Sequence, residues 1–256
     1  LEGDRFEAWL AALEKRHLAQ LTFPEVRRAL QALSSLYVEQ RDKLPRGAAL
    51  EGAGKRAAFA LFYGPLHFLL LREIVRALGA AVPPPARIVD LGCGTAAGAA
   101  AWALEAGHSV VEGVDRSGWA VDEARWTLSA LRLRGSARKG DLVAAAAGGH
   151  GEALLASYSA NELDDVRRDA LLERLLAAAA RGASVLVVEP LARRGVPWWR
   201  GWTTAFTAAG GRADEWRFPA QRPALIAKLD RAAGLDHREL TGRSLFLGRT
   251  GPAPRG

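Results

Sequence analysis

The sequence predicts an α/β protein, a mainly parallel sheet over about 85–250 preceded by a helical segment over 1–80. Three observations predict it. From Arg87 onward, short apolar runs alternate with helical patterns, as parallel βαβ units require. At 87–98, Arg-Ile-Val-Asp-Leu-Gly-Cys-Gly-Thr-Ala-Ala-Gly, an apolar strand turns through two glycines into an alanine-rich helix. Upstream, apolar residues recur at helical spacing until Gly-Ala-Ala-Val-Pro-Pro-Pro-Ala at 79–86 breaks all regular structure and reads as a linker.

In chain order, Thr22-x-x-Glu25 is a capping box opening a helix whose inward stripe is Val26, Leu30, Leu33 and Tyr37. A second helix is expected over 55–63 and a third over 65–78, with Pro65 tolerated in a first turn. Strands are expected over 87–91, 109–114, 136–139, 153–157 and 184–189, with helices starting after Thr95, after Ser117 and near Asp164. The helix after Ser117 should bury Val121, Ala124, Leu128 and Leu131. Pro197 opens another helix, with Trp198, Trp202 and Phe206 on one face, and a later helix covers about 223–233. Two last strands, near 237–240 and 244–248, form a closing antiparallel hairpin, and 251–256 is a tail.

Composition narrows the function classes. One cysteine, Cys93, excludes a disulfide framework, and the expected location is cytoplasmic. The longest apolar run, 57–71, contains Gly64, Pro65 and His67 and falls short of the ~20 residues of a membrane span, so it reads as a buried helix pair rather than a membrane element. The first residues carry Glu2, Asp4 and Arg5 without an apolar core and cleavage pattern, so no secretion signal is read. Lys plus Arg number 35 against 28 Asp plus Glu, an excess spread along the chain without a contiguous basic run.

The glycine turn holds the most chemistry. Gly92 and Gly94 permit close backbone approach, and the helix that follows offers unpaired N–H groups to a ligand. Asp115 stands 21 residues beyond Gly94, after a second apolar run, where an acid reaches a ribose diol. Gly92, Gly94 and Ala97 also satisfy the dinucleotide pattern, but Asp90, two residues before the first glycine, separates the cofactors. A carboxylate there would repel a pyrophosphate and attract the cationic methionine end of S-adenosylmethionine.

Asp90-Leu-Gly92-Cys-Gly94-Thr-Ala96 resembles the first motif of class I S-adenosylmethionine-dependent methyltransferases, acid-x-Gly-x-Gly-x-Gly, with alanine at the third glycine. The resemblance spans about 85–190 and implies a Rossmann-like seven-stranded, mainly parallel methyltransferase sheet with a helical N-terminal cap. It implies S-adenosylmethionine as cofactor, bound by Asp90, Gly92, Cys93, Gly94, Asp115, Arg116, Gly140, Asp141, Leu142 and Ser157. Asp90 falls near the methionine end, Asp115 on the ribose, and Asp141 of Lys139-Gly140-Asp141-Leu142 at the family position that touches the adenine amino group. Backbone packing within the loop is the expected role of Cys93.

The acceptor side follows the fourth strand, in Ser157-Tyr-Ser-Ala-Asn161-Glu162-Leu163-Asp164-Asp165. Asn161 and Glu162 are the candidates for orienting the acceptor or taking a proton, with helix capping as their structural alternative. Tyr158 faces the acceptor or covers the sheet edge. Ala29-Leu-Gln-Ala-Leu-Ser34-Ser35-Leu-Tyr37, the helical region 57–78, Ala160-Asn161-Glu162-Leu163 and Val187-Val-Glu189-Pro190 followed by Gly195 also resemble a narrower group. It is the ribosomal small-subunit methyltransferase family that includes the mitochondrial small-subunit assembly protein, and the likeness implies an RNA or ribosomal-subunit partner. A small-molecule acceptor under a helical lid, and a non-catalytic assembly factor that keeps the cofactor fold, stand beside that reading.

Trp199 and Arg200, with Arg193 and Arg194, could stack bases and meet phosphate, while Trp198 and Trp202 pack inward. The Asn-Pro-Pro-Tyr signature of exocyclic-amine methylation is absent. Gly52-Ala-Gly54-Lys55-Arg56 lacks the spacing, hydroxyl residue and preceding strand of a phosphate loop. No Gly-x-Ser-x-Gly element occurs, and the five histidines have no metal-ligand spacing.

Overall fold

The computed structural model describes residues 2–39, 50–107, 109–191 and 198–248. The side chain of Tyr37, residues His108, Arg193, Arg194, Gly195 and Pro197, and the 251–256 tail lie outside the described residues.

Seven strands form one sheet: β1 Arg87–Leu91, β2 Val110–Asp115, β3 Gly135–Lys139, β4 Glu152–Ser157, β5 Ser184–Glu189, β6 Arg212–Pro219 and β7 Glu239–Leu247. Their order is β3-β2-β1-β4-β5-β7-β6. The first five run parallel, and β7 lies antiparallel to both β5 and β6. Strand order reverses between β1 and β4, so the ligand crevice of such a sheet opens at the carboxyl ends of these two strands. β5 is buried along its whole length and β1 along all but its first residue, because helices cover both faces.

The closing hairpin differs from expectation. The segments 237–240 and 244–248 belong largely to one strand, β7, and its partner is β6. Thr241-Gly242 had the composition of a turn, but Gly242 lies within β7, where a Cβ would come 3.0 Å from the Leu70 side chain. The sequence of β6, Arg-Ala-Asp-Glu-Trp-Arg-Phe-Pro, hides its strand character because an edge strand carries charge on its solvent side. Trp216 and Phe218 stack at 5.7 Å on its inner face.

Ten α-helices complete the described residues. Four come before the sheet: α1 Glu2–His17, α2 Phe23–Glu39, α3 Ala53–Ala58 and α4 Gly64–Leu78. Helix α1 was not assigned from sequence, although Phe6, Trp9, Leu10 and Leu13 are its buried stripe. The capping box forms, with the Thr22 N–H donating to Glu25 Oε2 at 2.7 Å, and Val26, Leu30 and Leu33 are fully buried. Between α3 and α4 the chain does not break into a helix pair. A π-helical turn, Phe59–Tyr63, joins them, with the Gly64 N–H bonded to the Phe59 carbonyl. Pro65 has no N–H to give to an α-helical partner, and the widened turn carries the chain past it. The resulting run, Ala53–Leu78, is long and apolar enough by composition to cross a membrane, yet it lies in the core with Phe62, Phe68, Leu71 and Ile74 fully buried.

The 79–86 segment is fastened on both sides. Trp102 Nε1 donates to the Ala80 carbonyl at 3.1 Å, Ser109 Oγ donates to the Pro85 carbonyl at 2.5 Å, and the Ala86 N–H donates to Gly151. Trp102 belongs to α5 Ala97–Ala106, whose small residues let α4 approach closely: a Cβ on Gly98 would lie 3.2 Å from the Leu71 side chain.

Helix α6, Gly118–Ala130, buries Val121, Ala124 and Leu128, and Leu131 just beyond it. It also holds helix α1 in place. Its Glu123 carboxylate, 1% exposed, accepts from Arg16 Nε at 3.2 Å and lies 2.8 Å from His17 Nε2. Replacing Glu123 with alanine removes the buried carboxylate that ties α1 to α6 and leaves the largely buried His17 without it, at an expected cost of about 2 kcal/mol. Urea denaturation measures it, and an unchanged midpoint would show that the pair contributes nothing.

Candidate active site

The crevice is built from the ends of β1, β2 and β4. Leaving β1, the chain folds back on the end of β2, where the N–H groups of Gly92 and Cys93 both donate to the Val114 carbonyl, at 2.8 and 3.1 Å. Gly92 has φ +76°, and a Cβ there would stand 2.5 Å from Ser159 Cβ, so position 92 demands glycine on conformational and steric grounds. Ala96 takes the left-handed conformation at φ 56° before α5 begins.

Two carboxylates border this loop. Asp115, at the end of β2, accepts from the Gly94 N–H at 3.0 Å and from the Ser117 N–H at 2.8 Å. Asp90, 3% exposed near the end of β1, accepts a hydrogen bond from the Ala99 N–H. Burial first, and the negative charge of Asp115 second, push its carboxyl up to about 7. An added cation would relieve that repulsion. Burial also drives the Cys93 thiol far above its usual range, with the two carboxylates adding to the effect, so the thiol stays protonated.

The crevice continues at the end of β3, where the Gly140 N–H donates to the Asp115 carbonyl at 2.9 Å and the Leu142 side chain faces Gly92. Asp141 caps the short helix α7, Leu142–Ala145, accepting from the N–H groups of Val143 at 2.8 Å and Ala144 at 3.0 Å. Its second oxygen pairs with Arg167 of α8, Asp165–Ala180, and these bonds hold its carboxyl below the usual range. Arg116 is exposed just beyond the crevice.

At the mouth, Ser157 Oγ and Ser159 Oγ are buried without a hydrogen-bond partner among the described residues. Asn161 lies in a 3₁₀ turn, Ala160–Glu162, its N–H donating to Glu189 Oε1 at 3.2 Å and its Oδ1 accepting from Trp198 Nε1 at 3.4 Å. Glu162 is exposed on the outer side of that turn. Asp164, in turn, caps α8 by accepting from the Arg167 N–H at 2.9 Å.

The tryptophans on helix α9, Trp199–Ala208, correct one expectation. Trp198, Trp202 and Phe206 form a ladder at 4.7 and 6.3 Å, as the spacing predicts. Trp199 is not an exposed rim residue but 9% exposed, with the Arg243 guanidinium over its ring at 4.4 Å. It turns inward because the long, arginine-bearing strand β7 passes over it, which local helical spacing does not encode. Arg200 alone of the pair is exposed.

Sequence reasoning missed the wall opposite β4. The ring of Phe59 packs 3.9 Å from where a Gly94 Cβ would be, and a Gly64 Cβ would stand 3.2 Å from Thr95 Oγ1. The π-helical turn therefore lies directly on the glycine loop. Phe59, Tyr63 and His67, each four residues apart, form one aromatic cluster with ring centroids 5.9–6.3 Å from one another, and His67 stacks on Tyr158 at 4.2 Å. That i, i+4, i+8 spacing was the available signal.

The fold is shared with solved methyltransferases. An O-methyltransferase family protein from Burkholderia thailandensis superposes with a TM-score of 0.53 at 14% identity, covering 95% of this chain and 71% of its own. Magnesium protoporphyrin IX methyltransferase from Synechocystis, with bound S-adenosylmethionine, gives a TM-score of 0.51 at 14% identity, covering 90% of this chain and 99% of its own. No family model matches the sequence, and no curated protein matches it. The chain has the Rossmann-like fold of class I methyltransferases: a seven-stranded, mainly parallel sheet with its crevice at the carboxyl edge.

Proposed function

We propose that the protein transfers a methyl group from S-adenosylmethionine to a small acceptor held between the N-terminal helices and the end of β4. One observation carries the cofactor: two carboxylates, Asp90 and Asp115, flank a glycine loop, and burial together with the negative charge of Asp115 drives Asp90 up to about 7. A pyrophosphate would worsen that imbalance, whereas a sulfonium with an ammonium group relieves it. The orphaned hydroxyls of Ser157 and Ser159 suit a polar ligand at the same place.

When bound, S-adenosylmethionine supplies a methyl group activated by its positive sulfur. Asp90 and the loop backbone would hold the methionine end, Asp115 the ribose, and Gly140, Asp141 and Leu142 the adenine side. The chain's own task is then to hold an acceptor in line and exclude water, which can supply much of the barrier reduction. Asn161, pinned by Glu189 and Trp198, would orient the acceptor.

A small acceptor is supported by the aromatic cluster of the cap that lies on the glycine loop and by the burial of Trp199, which removes the base-stacking platform an RNA substrate would use. Calorimetric titration with S-adenosylmethionine and, separately, NAD tests the cofactor: binding of the first alone is expected, and preference for NAD overturns the reading. Incubation with labelled S-adenosylmethionine and either a small-molecule extract or purified ribosomal subunits tests the acceptor. Label confined to ribosomal RNA would replace the small acceptor with RNA. Cofactor binding with label in neither fraction would favour the assembly-factor role.

A further inference from the structure

We infer that a cleft where α1, α3 and α6 meet is a second binding site, taking the phosphate or carboxylate head of a small organic anion whose apolar body lies against Trp119 and Leu21. The cleft measures about 300 Å³, the lower end of the range that small-molecule sites occupy. Its lining includes Arg16, Gln20, Leu21, Arg56 and Trp119 and shares no residue with the crevice at the ends of β1, β2 and β4. The inference stands apart from the methyltransferase reading.

Two arginines from different helices set its chemistry. Arg16, in the last turn of α1, donates from Nε to the buried Glu123 carboxylate at 3.2 Å, and its guanidinium lies over the Trp126 ring at 4.9 Å. Arg56, in α3, is held in the same manner: Nε donates to the Leu50 carbonyl at 3.1 Å, and the guanidinium lies over the Trp119 ring at 5.9 Å. Each side chain is thus fixed at its inner nitrogen and against an indole, while its two terminal Nη groups have no hydrogen-bond partner among the described residues. Those groups give paired hydrogen bonds to a carboxylate or phosphate. An arginine normally gives up rotamer freedom when it grips an anion, and here both are already restricted.

Tying α1 to α6 explains Arg16, through Glu123, but not the arrival of a second guanidinium from α3. Arg56 forms no ion pair among the described residues, so the two cations share a cleft in which Glu123 offsets one of them. An anion completes the balance. Arg56 belongs to Gly52-Ala-Gly54-Lys55-Arg56, the segment that fails as a phosphate loop. Gly54 serves close packing instead, since a Cβ there would stand 3.2 Å from Ala29 Cβ, and the arginine is what faces the cleft. Trp119 and Leu21 are half-buried, with Gln20 exposed beside them. An inorganic ion would leave these apolar surfaces wet, whereas an aryl phosphate or aryl carboxylate covers them.

Calorimetric titration of the wild-type chain at about 0.15 M salt with phenyl phosphate, benzoate, inorganic phosphate and neutral benzyl alcohol tests the site. Expected is saturable binding of phenyl phosphate or benzoate, the tighter of the two naming the head group, about tenfold stronger than inorganic phosphate and absent for benzyl alcohol. Arg16→Gln and Arg56→Gln should each weaken it about tenfold, and Arg56→Lys, which keeps the charge and loses the fork, about fivefold. Arg134→Gln, which removes an exposed charge beside β3, should leave it within about twofold. Phenyl phosphate should also slow phenylglyoxal modification of Arg16 and Arg56 about threefold, mapped by mass spectrometry, and spare Arg134 no modification. No saturable binding of either aryl anion overturns the inference, as does equal weakening by Arg134→Gln or an Arg56→Gln variant that binds like wild type. Inorganic phosphate binding as tightly as phenyl phosphate overturns the apolar body. Arg16→Gln also loses the tie to Glu123, so if it does not fold, Arg56→Gln and the protection pattern decide. Saturating S-adenosylmethionine should leave anion affinity within about twofold, and competition between them overturns a separate site. Wild-type protein that binds the anion and no donor overturns the methyltransferase reading alone.

Discussion

Replacing Asp90 with asparagine is expected to weaken S-adenosylmethionine binding by about 30-fold, equivalent to about 2 kcal/mol, while stabilising the ligand-free protein above pH 7. Both effects follow from one buried carboxyl that lacks a cation. In the native chain it titrates at about 7, against 3.8 for an unperturbed group. Between those values the folded state keeps a proton that the unfolded state has lost, so stability falls as pH rises through this window. Above about 7 both states are ionised and the penalty is complete, at most about 4 kcal/mol for a shift of this size. Asparagine cannot ionise and can still accept from the Ala99 N–H, so an asparagine variant should gain on the order of 1–3 kcal/mol at pH 8 and little at pH 4.

The same linkage gives donor binding a pH dependence. A cationic donor favours ionised Asp90, so below pH 7 binding must expel a proton and wild-type Kd should rise about tenfold per pH unit. Binding to the Asp90→Asn variant should lack this slope. Calorimetry at pH 5.5, 6.5 and 8 measures it, and equal affinities for the two proteins at pH 8 would remove the electrostatic basis of the cofactor assignment. Active sites commonly trade stability for function in this way, and the sign of the two effects here is opposite by construction.

Gly92→Ala should abolish measurable donor binding, a loss greater than about 100-fold, and destabilise the fold by about 2–3 kcal/mol. Its φ of +76° strains any side chain, and the added methyl would stand 2.5 Å from Ser159 Cβ, which belongs to the turn beyond β4. Relief requires the loop to leave the end of β2 or the 3₁₀ turn to move, and either displaces the donor site. Gly201→Ala in helix α9, where a Cβ meets nothing within 4 Å, is the control, with an expected gain of about 0.5–1 kcal/mol. Similar denaturation midpoints for the two variants would show that the loop tolerates a side chain.

Much of the proposed donor half of the site was legible because it is local. Asp90, Gly92, Gly94 and Asp115 sit at fixed offsets within two βα units, and the parallel strands that carry them announce themselves as apolar runs. The proposed acceptor half was less legible because it is assembled from distant segments. Glu189 reaches Asn161 from a neighbouring strand, and His67 reaches Tyr158 across 91 positions of chain. Helix α1 was missed although its stripe of Phe6, Trp9, Leu10 and Leu13 has regular helical spacing. Strand β6 was missed for the opposite reason, since charge on an edge strand suppresses the alternation by which strands are read.

By itself, the sequence determined the α/β class, the glycine loop and the bracketing acids, since backbone conformation and short-range charge depend on neighbours a few residues apart. Only tertiary structure decided that 53–78 is one helical run pressed on that loop, that Trp199 turns inward beneath Arg243, and that His67 faces Tyr158. Those outcomes depend on which surfaces meet when helices and strands bury their apolar faces together, and one-dimensional spacing does not specify that pairing.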